Sequence, residues 1–110
     1  MTSRQVSIWV DEQEVDMAEG EIITFAVIFQ GAVVVSGPGA TVYKNGEDVT
    51  SSVMPSGSHL VSGNVVTLKP INAIAGDGGQ KYVVAIAATV DGNSEIRKVQ
   101  VNIHDVSSEL

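Results

Sequence analysis

The chain has no cysteine, so it can form no disulfide, thiolate metal site or cysteine nucleophile. It is also short of basic residues, with 6 Lys and Arg against 13 Asp and Glu and a net charge of −7. A phosphate backbone or an anionic membrane surface would be repelled by that charge. We therefore expect no nucleic-acid partner and no membrane partner, and the excess of acids favours solubility.

Long apolar runs are absent as well. None approaches the roughly 20 residues that span a bilayer. Residues 1–11 lack the basic start and apolar stretch of a secretory signal, so no signal peptide is expected. The sequence predicts a protein kept in the cytoplasm where it is made, although a domain cut from a longer secreted protein could carry the same start.

Catalytic motifs are missing too. No G-x-S-x-G is present, and no acid–histidine pair is specified. Residues 76–79 (GDGG) superficially suggest a phosphate loop, but they lack the Lys-Ser/Thr and the helix that such a loop requires. We interpret them as a turn before Tyr82, and we expect neither an enzyme nor a cofactor.

Metal sites are weakly supported. His59 and His104 are the only histidines, and we expect both to be exposed rather than to converge on a metal. The acids of residues 11–21 could surround Ca²⁺, but no D-x-D-x-D-G loop is present. We interpret this acidic segment as a solvated edge that blocks strand addition, and no metal is expected.

What the chain does contain is a series of short runs rich in Val, Ile and Thr, separated by Gly, Asn, Asp, Ser and Pro. The runs are residues 4–10, 21–29, 40–43, 60–68, 82–90 and 96–103. This pattern predicts an all-β, antiparallel sandwich of about seven to nine strands without a disulfide. Residues 1–105 are expected to form one domain, with residues 106–110 as a tail.

Alternation within these runs predicts the core. The inward residues are expected to be Ile23, Phe25, Val27, Phe29, Val42, Val66, Leu68, Val84, Ile86, Val99, Val101 and Ile103. Residues 30–39 are predicted to be a connection, because Pro38 lacks a donor and disfavours a ladder through it. Residues 51–58 and 69–81 are also predicted to be loops.

The residues of the predicted turns indicate positions with a structural role. Asn45 and Gly46 predict a two-residue hairpin, since both central positions of a type I′ turn need positive φ. Asp91 and Gly92 predict the turn between the last two strands. Tyr82 opens the penultimate strand after a Gly-rich crossing, as in a tyrosine corner, whose hydroxyl bonds to upstream backbone; an ordinary half-buried tyrosine is the alternative.

Two apolar groups are candidates for an interaction surface. Val83, Ala85 and Ala87 form the outward face of the longest predicted strand. Val33, Val34 and Val35 form a second apolar group in a predicted connection. A joined patch of this kind marks a partner surface, whereas cover by a neighbouring loop is the alternative.

Residues 40–52 (ATVYKNGEDVTSS) and 62–92 resemble Ig-like or fibronectin-III-like sandwich domains. The strand that begins at Tyr82, the Asp91-Gly92 turn and the closing strand match the last hairpin of that fold. The chain departs from antibody domains: Val84 stands where the second cysteine would be, and Val42 where a core tryptophan is expected.

More narrowly, the run YKNGEDVTSSVMPSG…VSGNVVTL…YVVAIAATVDG resembles small single-domain structural proteins of tailed phages and prophages. The resemblance implies a non-enzymatic head, neck or decoration component that is assembled in the bacterial cytoplasm onto a virion. Its partners would be other virion or surface proteins, with self-association left open. The alternative is an Ig-like module of a bacterial surface adhesin or carbohydrate-associated protein. No functional residue transfers from the resemblance.

Overall fold

The computed structural model describes the backbone of residues 3–9 and the whole of residues 14–105. These contain ten strands and one helical turn. They are β1 Ser3–Trp9, β2 Glu14–Ala18, β3 Ile22–Ile28, β4 Val35–Lys44, β5 Glu47–Asp48, α1 Thr50–Val53, β6 Leu60–Ser62, β7 Val65–Thr67, β8 Ile71–Asn72, β9 Lys81–Val90 and β10 Asn93–His104. The predicted all-β class is confirmed. The predicted tail, residues 106–110, lies outside the described residues.

The strands form two sheets. The first has the order β1-β3-β7-β6, with β8 also paired to β3, and the second has the order β2-β10-β9-β4-β5. The predicted antiparallel pairing holds except at the N-terminal strands, since β1 pairs parallel with β3 and β2 parallel with β10. β1 belongs to the first sheet and β2 to the second, and the two strands run in opposite directions. Each is parallel to its neighbour, β1 to β3 and β2 to β10.

The core lies between the two sheets and follows the period of two. All twelve predicted inward residues are buried. Tyr82, Ala88 and Val90 are also buried, on the face of β9 that alternation gives to Val84 and Ile86. The structure adds further buried side chains that the alternation did not single out: Met17, Val35, Val53, Met54, Ile71 and Ala73. Met17 comes from the acidic segment, where β2 lies at the edge of its sheet and directs Met17 and the partly buried Val15 toward the core. That placement agrees with the predicted acidic edge.

The prediction that residues 30–39 form a connection is wrong from Val35 onward. β4 begins there and runs through Pro38, with a register shift against β9 between Ser36 and Gly39. Gly37 has a φ of 57° at this bulge. The ladder is interrupted where Pro38 has no donor to offer, so the strand passes the proline at a bulge.

Two predicted loops also contain short elements. α1 interrupts residues 51–58, and β8 pairs with β3 inside residues 69–81. The helical turn buries Val53 and is followed by buried Met54, and both side chains belong to the core. Serines surround these two residues in sequence, so local composition gave no sign of burial. In the described residues, no helix has the length and apolar character to cross a membrane.

Candidate docking surfaces

The first candidate surface lies on the outer face of the second sheet. Register places Tyr43 of β4 opposite Val83 of β9, and Ala87 of β9 opposite Ile96 of β10. Ala85 lies between Val83 and Ala87 on the same face. We call these five residues the outer stripe: Tyr43, Val83, Ala85, Ala87 and Ile96. Side chains opposite one another on a sheet face are close enough to touch, so the five form a continuous apolar surface.

Exposure is lowest in the middle of the outer stripe and higher at both ends, where Tyr43 is 39% exposed. Val83 and Ala85 are half-buried, Ala87 is exposed, and Ile96 is 62% exposed. No loop within residues 14–105 therefore covers Ala87 and Ile96. The three predicted residues of β9 are brought together as expected, and Tyr43 and Ile96 extend them. Ile96 could have been predicted, because it lies out of phase with inward Val99 and Val101.

The second candidate surface is at one end of the sandwich. Three connections meet there, and we call them together the loop end: residues 29–34, the β6–β7 turn and the β9–β10 turn. Phe29 N–H donates to Asn64 O at 2.8 Å, and Asn64 Nδ2 donates to Phe29 O at 3.2 Å. Val35 N–H donates to Gly63 O at 3.3 Å. The bond from Val35 to Gly63 joins the second sheet to the first at this end, while the two bonds between Phe29 and Asn64 lie within the first sheet.

Asp91 fixes the exposed part of the loop end. Its Oδ1 accepts from Val33 N–H at 3.0 Å and from Val34 N–H at 2.8 Å, and its own N–H donates to Val34 O at 2.8 Å. The Val33 and Val34 side chains point outward and are 75% and 58% exposed. Val35, predicted to belong to the same patch, is only 3% exposed, so that assignment is wrong. It pairs with Val90 in the ladder and packs into the core.

Both hairpin turns have the predicted backbone. Asn45 and Gly46 have φ of 52° and 81°, and Asp91 and Gly92 have φ of 48° and 88°. Positive φ at two consecutive residues is the type I′ pattern that short hairpins favour. Asp91 thus has two roles, since it adopts the left-handed conformation and its carboxylate holds the neighbouring loop.

Tyr82 forms the predicted corner at the opposite end. It is fully buried, and its hydroxyl donates to Asp77 Oδ2 at 2.5 Å while it accepts from Ile74 N–H at 3.1 Å. Burial raises the pKa of the Tyr82 phenol, and the bond to Asp77 raises it further. The other Asp77 oxygen accepts from Lys44 Nζ at 3.1 Å. The corner anchors the start of β9, the strand at the centre of the outer stripe.

The GDGG segment is a turn, as predicted. Glu19 Oε2 accepts from Gly76 N–H at 3.1 Å and from Gly78 N–H at 3.0 Å. A carboxylate of the chain itself therefore occupies the amides that a phosphate would need. The acidic segment and the glycine turn stabilise each other.

The other described acids of this segment also have hydrogen-bond partners. Glu14 Oε1 accepts from Gln100 and Asn102, and Asp16 Oδ1 accepts from Asn102 at 3.3 Å and contacts His104 Nε2 at 3.0 Å. The bonds from His104 and Asn102 lower the pKa of the Asp16 carboxyl. Asp11 and Glu12 lie outside the described residues. In the part of the chain that the structure describes, no cluster of three or more His, Cys, Asp or Glu could hold a metal ion.

We predict that calcium leaves the stability unchanged. A ligand that binds only the native state must raise the melting temperature, and the carboxylates of Glu14, Asp16 and Glu19 already bond to the protein. Thermal melts in EDTA and in millimolar calcium should therefore coincide. A rise of more than about 5 °C in calcium would mean that the acidic segment binds the ion.

His59 bonds to the backbone and is half-buried rather than exposed as predicted. Its Nδ1 accepts from Lys69 N–H at 3.1 Å, which ties residues 55–59 to the chain after β7. Burial lowers the pKa of the imidazole below its ordinary 6.5, and the charge of Lys69 lowers it further. A proton on Nδ1 would replace this acceptor with a donor.

The contribution of His59 to the free energy of unfolding should depend on pH. Because its folded pKa lies below its unfolded pKa, stability is full above about pH 6.5 and falls as the pH drops through the folded value. Solvent screening keeps the loss below about 1 kcal/mol. The check is a comparison of urea midpoints at about pH 7.5 and about pH 5.5 for the wild type and for His59→Asn, whose amide oxygen can accept the same bond without titrating. Equal pH dependence in the two proteins would contradict the prediction.

No protein-family model matches the chain, and no curated protein matches it. Solved structures do. The cysteine protease inhibitor EhICP2 from Entamoeba histolytica has a TM-score of 0.52 at 6% identity, over 93% of this chain and 97% of that one. The titin domains Z1Z2 in complex with telethonin have a TM-score of 0.47 at 21% identity, over 84% of this chain and 44% of that one. The twitchin kinase region from C. elegans has a TM-score of 0.45 at 21% identity, over 86% of this chain and 15% of that one.

These likenesses concern the fold alone. The two sheets and the Tyr82 corner, with a solved structure that matches over nearly the whole chain, define the class: the chain is an Ig-like β-sandwich without a disulfide.

Proposed function

We propose that this protein is a non-enzymatic docking module that attaches to a larger protein assembly through the outer stripe. The observation that carries the proposal is the continuity of Tyr43, Val83, Ala85, Ala87 and Ile96 across three strands. The small side chains of Ala85 and Ala87, with Gly39 beside them, allow another surface to approach the sheet closely.

The surroundings of the outer stripe suit an interface. Protein interfaces combine an apolar centre with a polar rim. Here Lys98 lies opposite Ala85 and Gln100 opposite Val83, at the margin of the apolar surface. A standard interface needs about 800 Å² per partner, so the stripe would form the centre of a larger contact. The net charge of −7 disfavours close approach of two copies and so favours a different partner.

We further propose that the assembly is a virion of a tailed phage or prophage, with this protein as a head, neck or decoration component. The resemblance in residues 43–92 supports this context, and assembly inside a bacterium suits a chain without cysteine. The partners would then be other virion proteins. The genes beside this one test the context: capsid, portal or tail genes would support it, whereas a longer reading frame with a leader would favour the adhesin alternative.

Replacing both Ala85 and Ala87 with Glu should abolish attachment. Both side chains face outward, so folding should stay nearly intact, while unpaired charge in a desolvated contact is strongly unfavourable. The measurement is co-sedimentation of the variant with assembled particles. Ala75→Glu is the matched control, because Ala75 is exposed in a loop near the opposite end.

The two failures of this test have different meanings. Normal co-sedimentation of the folded double variant would exclude the outer stripe as the docking surface. A variant that no longer folds would show that the face is part of the core, and the assignment of outward residues on β9 would be wrong. A cooperative melt recorded beside the sedimentation separates the two.

A further inference from the structure

The turn between β4 and β5 contains two residues that can react with each other. The main-chain nitrogen of the residue after an asparagine can attack the carbonyl carbon of the asparagine side chain and close a five-membered succinimide ring. Glycine hinders this attack least, because it has no side chain beside the nitrogen. Asn45-Gly46 is the one place in the chain where glycine follows asparagine.

The structure leaves both reacting groups accessible. Asn45 and Gly46 are exposed, and a Cβ added to Gly46 would meet nothing within 4 Å, so no neighbouring group crowds the site. The Gly46 N–H donates to no group in the part of the chain that the structure describes. The Asn45 side chain bonds only through its Nδ2, which donates to Gln80 Oε1 at 3.3 Å. One long hydrogen bond is thus the only described bond that restrains the two reacting groups.

The four other asparagines lack this combination. Each is followed by a residue that bears a side chain: Asn64, Asn72, Asn93 and Asn102. The amides of Asn64 and Asn72 donate to main-chain oxygens of distant segments. Ala73 N–H and Ile103 N–H each donate to a main-chain oxygen at 2.9 Å, so the nitrogens that follow Asn72 and Asn102 are already bonded.

Asp91-Gly92 is the closest comparison within the chain, because it has the same pair of positive φ angles with glycine in the same place. Its side chain is a carboxylate, which is a poorer electrophile than an amide. The Asp91 Oδ1 also accepts from Val33 N–H at 3.0 Å and from Val34 N–H at 2.8 Å. We therefore expect Asp91 to stay unmodified, and it serves as an internal control.

We propose that Asn45-Gly46 is a site of spontaneous deamidation in the folded protein. The Gly46 nitrogen gives its proton to solvent base and bonds to Asn45 Cγ, the Cγ–Nδ2 bond breaks, and Nδ2 takes up a proton and leaves as ammonia. Water then opens the succinimide at either carbonyl, which gives aspartate or isoaspartate at position 45. In the isoaspartate form the main chain passes through the side-chain carbons of residue 45, so it is one atom longer.

The longer main chain should disturb the hairpin. A two-residue type I′ turn has no place for an additional main-chain atom. β5 consists of Glu47 and Asp48 alone, which pair with Lys44 and Tyr43 of β4. Isoaspartate should therefore weaken the pairing of β4 with β5, and either product adds one negative charge. Tyr43 is one end of the outer stripe, but the inference does not depend on docking.

Peptide mapping of the purified full-length chain tests the site, after incubation at mildly alkaline pH in buffer and, in parallel, in urea that unfolds it. Deamidation changes the mass, and electron-transfer fragmentation distinguishes isoaspartate from aspartate. In buffer we expect both products at position 45, at a rate within about tenfold of that in urea. The other asparagines and Asp91 should be unchanged. If Asn45 stays intact in buffer while it is converted in urea, the fold protects the turn and the proposal is wrong. Aspartate without isoaspartate would exclude the succinimide route.

Two variants test the mechanism. Gly46→Asn keeps a residue type that tolerates positive φ but places a side chain beside the nitrogen, so conversion of Asn45 should slow at least about tenfold. Gln80→Ala removes the bond to Asn45 Nδ2, so conversion should be as fast as in the wild type or faster. An unchanged rate in Gly46→Asn or a slower rate in Gln80→Ala would contradict the proposed attack.

Asn45→Asp is the matched control for the effect on the hairpin, because it carries the charge of the product without the longer main chain. The isoaspartate form, isolated by ion exchange, should melt at a lower temperature than Asn45→Asp. Equal melting temperatures would show that the turn accommodates the additional atom, and the proposed effect on β4 and β5 would be wrong.

Discussion

Replacing Tyr82 with Phe is expected to lower the free energy of unfolding by about 1–3 kcal/mol. The change removes only the hydroxyl, which donates to Asp77 Oδ2 at 2.5 Å and accepts from Ile74 N–H at 3.1 Å. Asp77 is 8% exposed, so its carboxylate loses a partner that water cannot readily replace. A buried group left unsatisfied costs more than the net contribution of the bond that was removed.

Urea denaturation at neutral pH measures this effect, since a lower midpoint with an unchanged slope reports lost stability. Tyr43→Phe is the matched control. Tyr43 is 39% exposed on the sheet face, so loss of its hydroxyl should change stability by less than about 0.5 kcal/mol. Equal midpoints for the two variants would show that the corner bonds do not stabilise the fold. If Tyr82→Phe also reduces docking, the corner helps to fix the outer face of β9.

Replacing Gly78 with Ala is expected to cost a similar amount, about 1–3 kcal/mol, for a steric reason. A Cβ at this position would lie 2.7 Å from Asp105 Cα and 3.0 Å from Asp105 N. The obstructing atoms are mostly backbone, so they cannot yield as the end of a flexible side chain would. The turn or the end of β10 must shift, and the bond from Gly78 N–H to Glu19 would be strained with it.

Gly39→Ala is the matched control for this substitution. Gly39 has no positive φ, and a Cβ there would meet nothing within 4 Å. Its stability should therefore stay within about 0.5 kcal/mol of the wild type. Thermal melts of both variants check the prediction, and an unchanged Gly78→Ala melt would show that the contact with Asp105 is not made in solution.

Local sequence determined the elements and much of the core. Side chains on a strand alternate with a fixed period, so the inward residues of β3, β9 and β10 could be assigned without knowledge of their neighbours. The turns at Asn45-Gly46 and Asp91-Gly92 were equally local, because positive φ at consecutive positions restricts the residue types. The place of Tyr82 at the start of a strand after a glycine-rich segment predicted the bond between its hydroxyl and the upstream Ile74 backbone, but not the bond to Asp77.

Only the tertiary structure decided which strands are neighbours and which surfaces therefore exist. Tyr43 joins Val83 because β4 pairs with β9, and no local signal specifies that pairing, whereas the Asp91-Gly92 turn already places Ile96 opposite Ala87. Val35 differs from Val33 and Val34 only in lying where the ladder with β9 begins. The clamp from Asp91 to the Val33 and Val34 amides likewise joins residues 57 or more positions apart. Periodicity and turn chemistry act over a few residues, whereas burial and docking surfaces depend on contacts between distant segments.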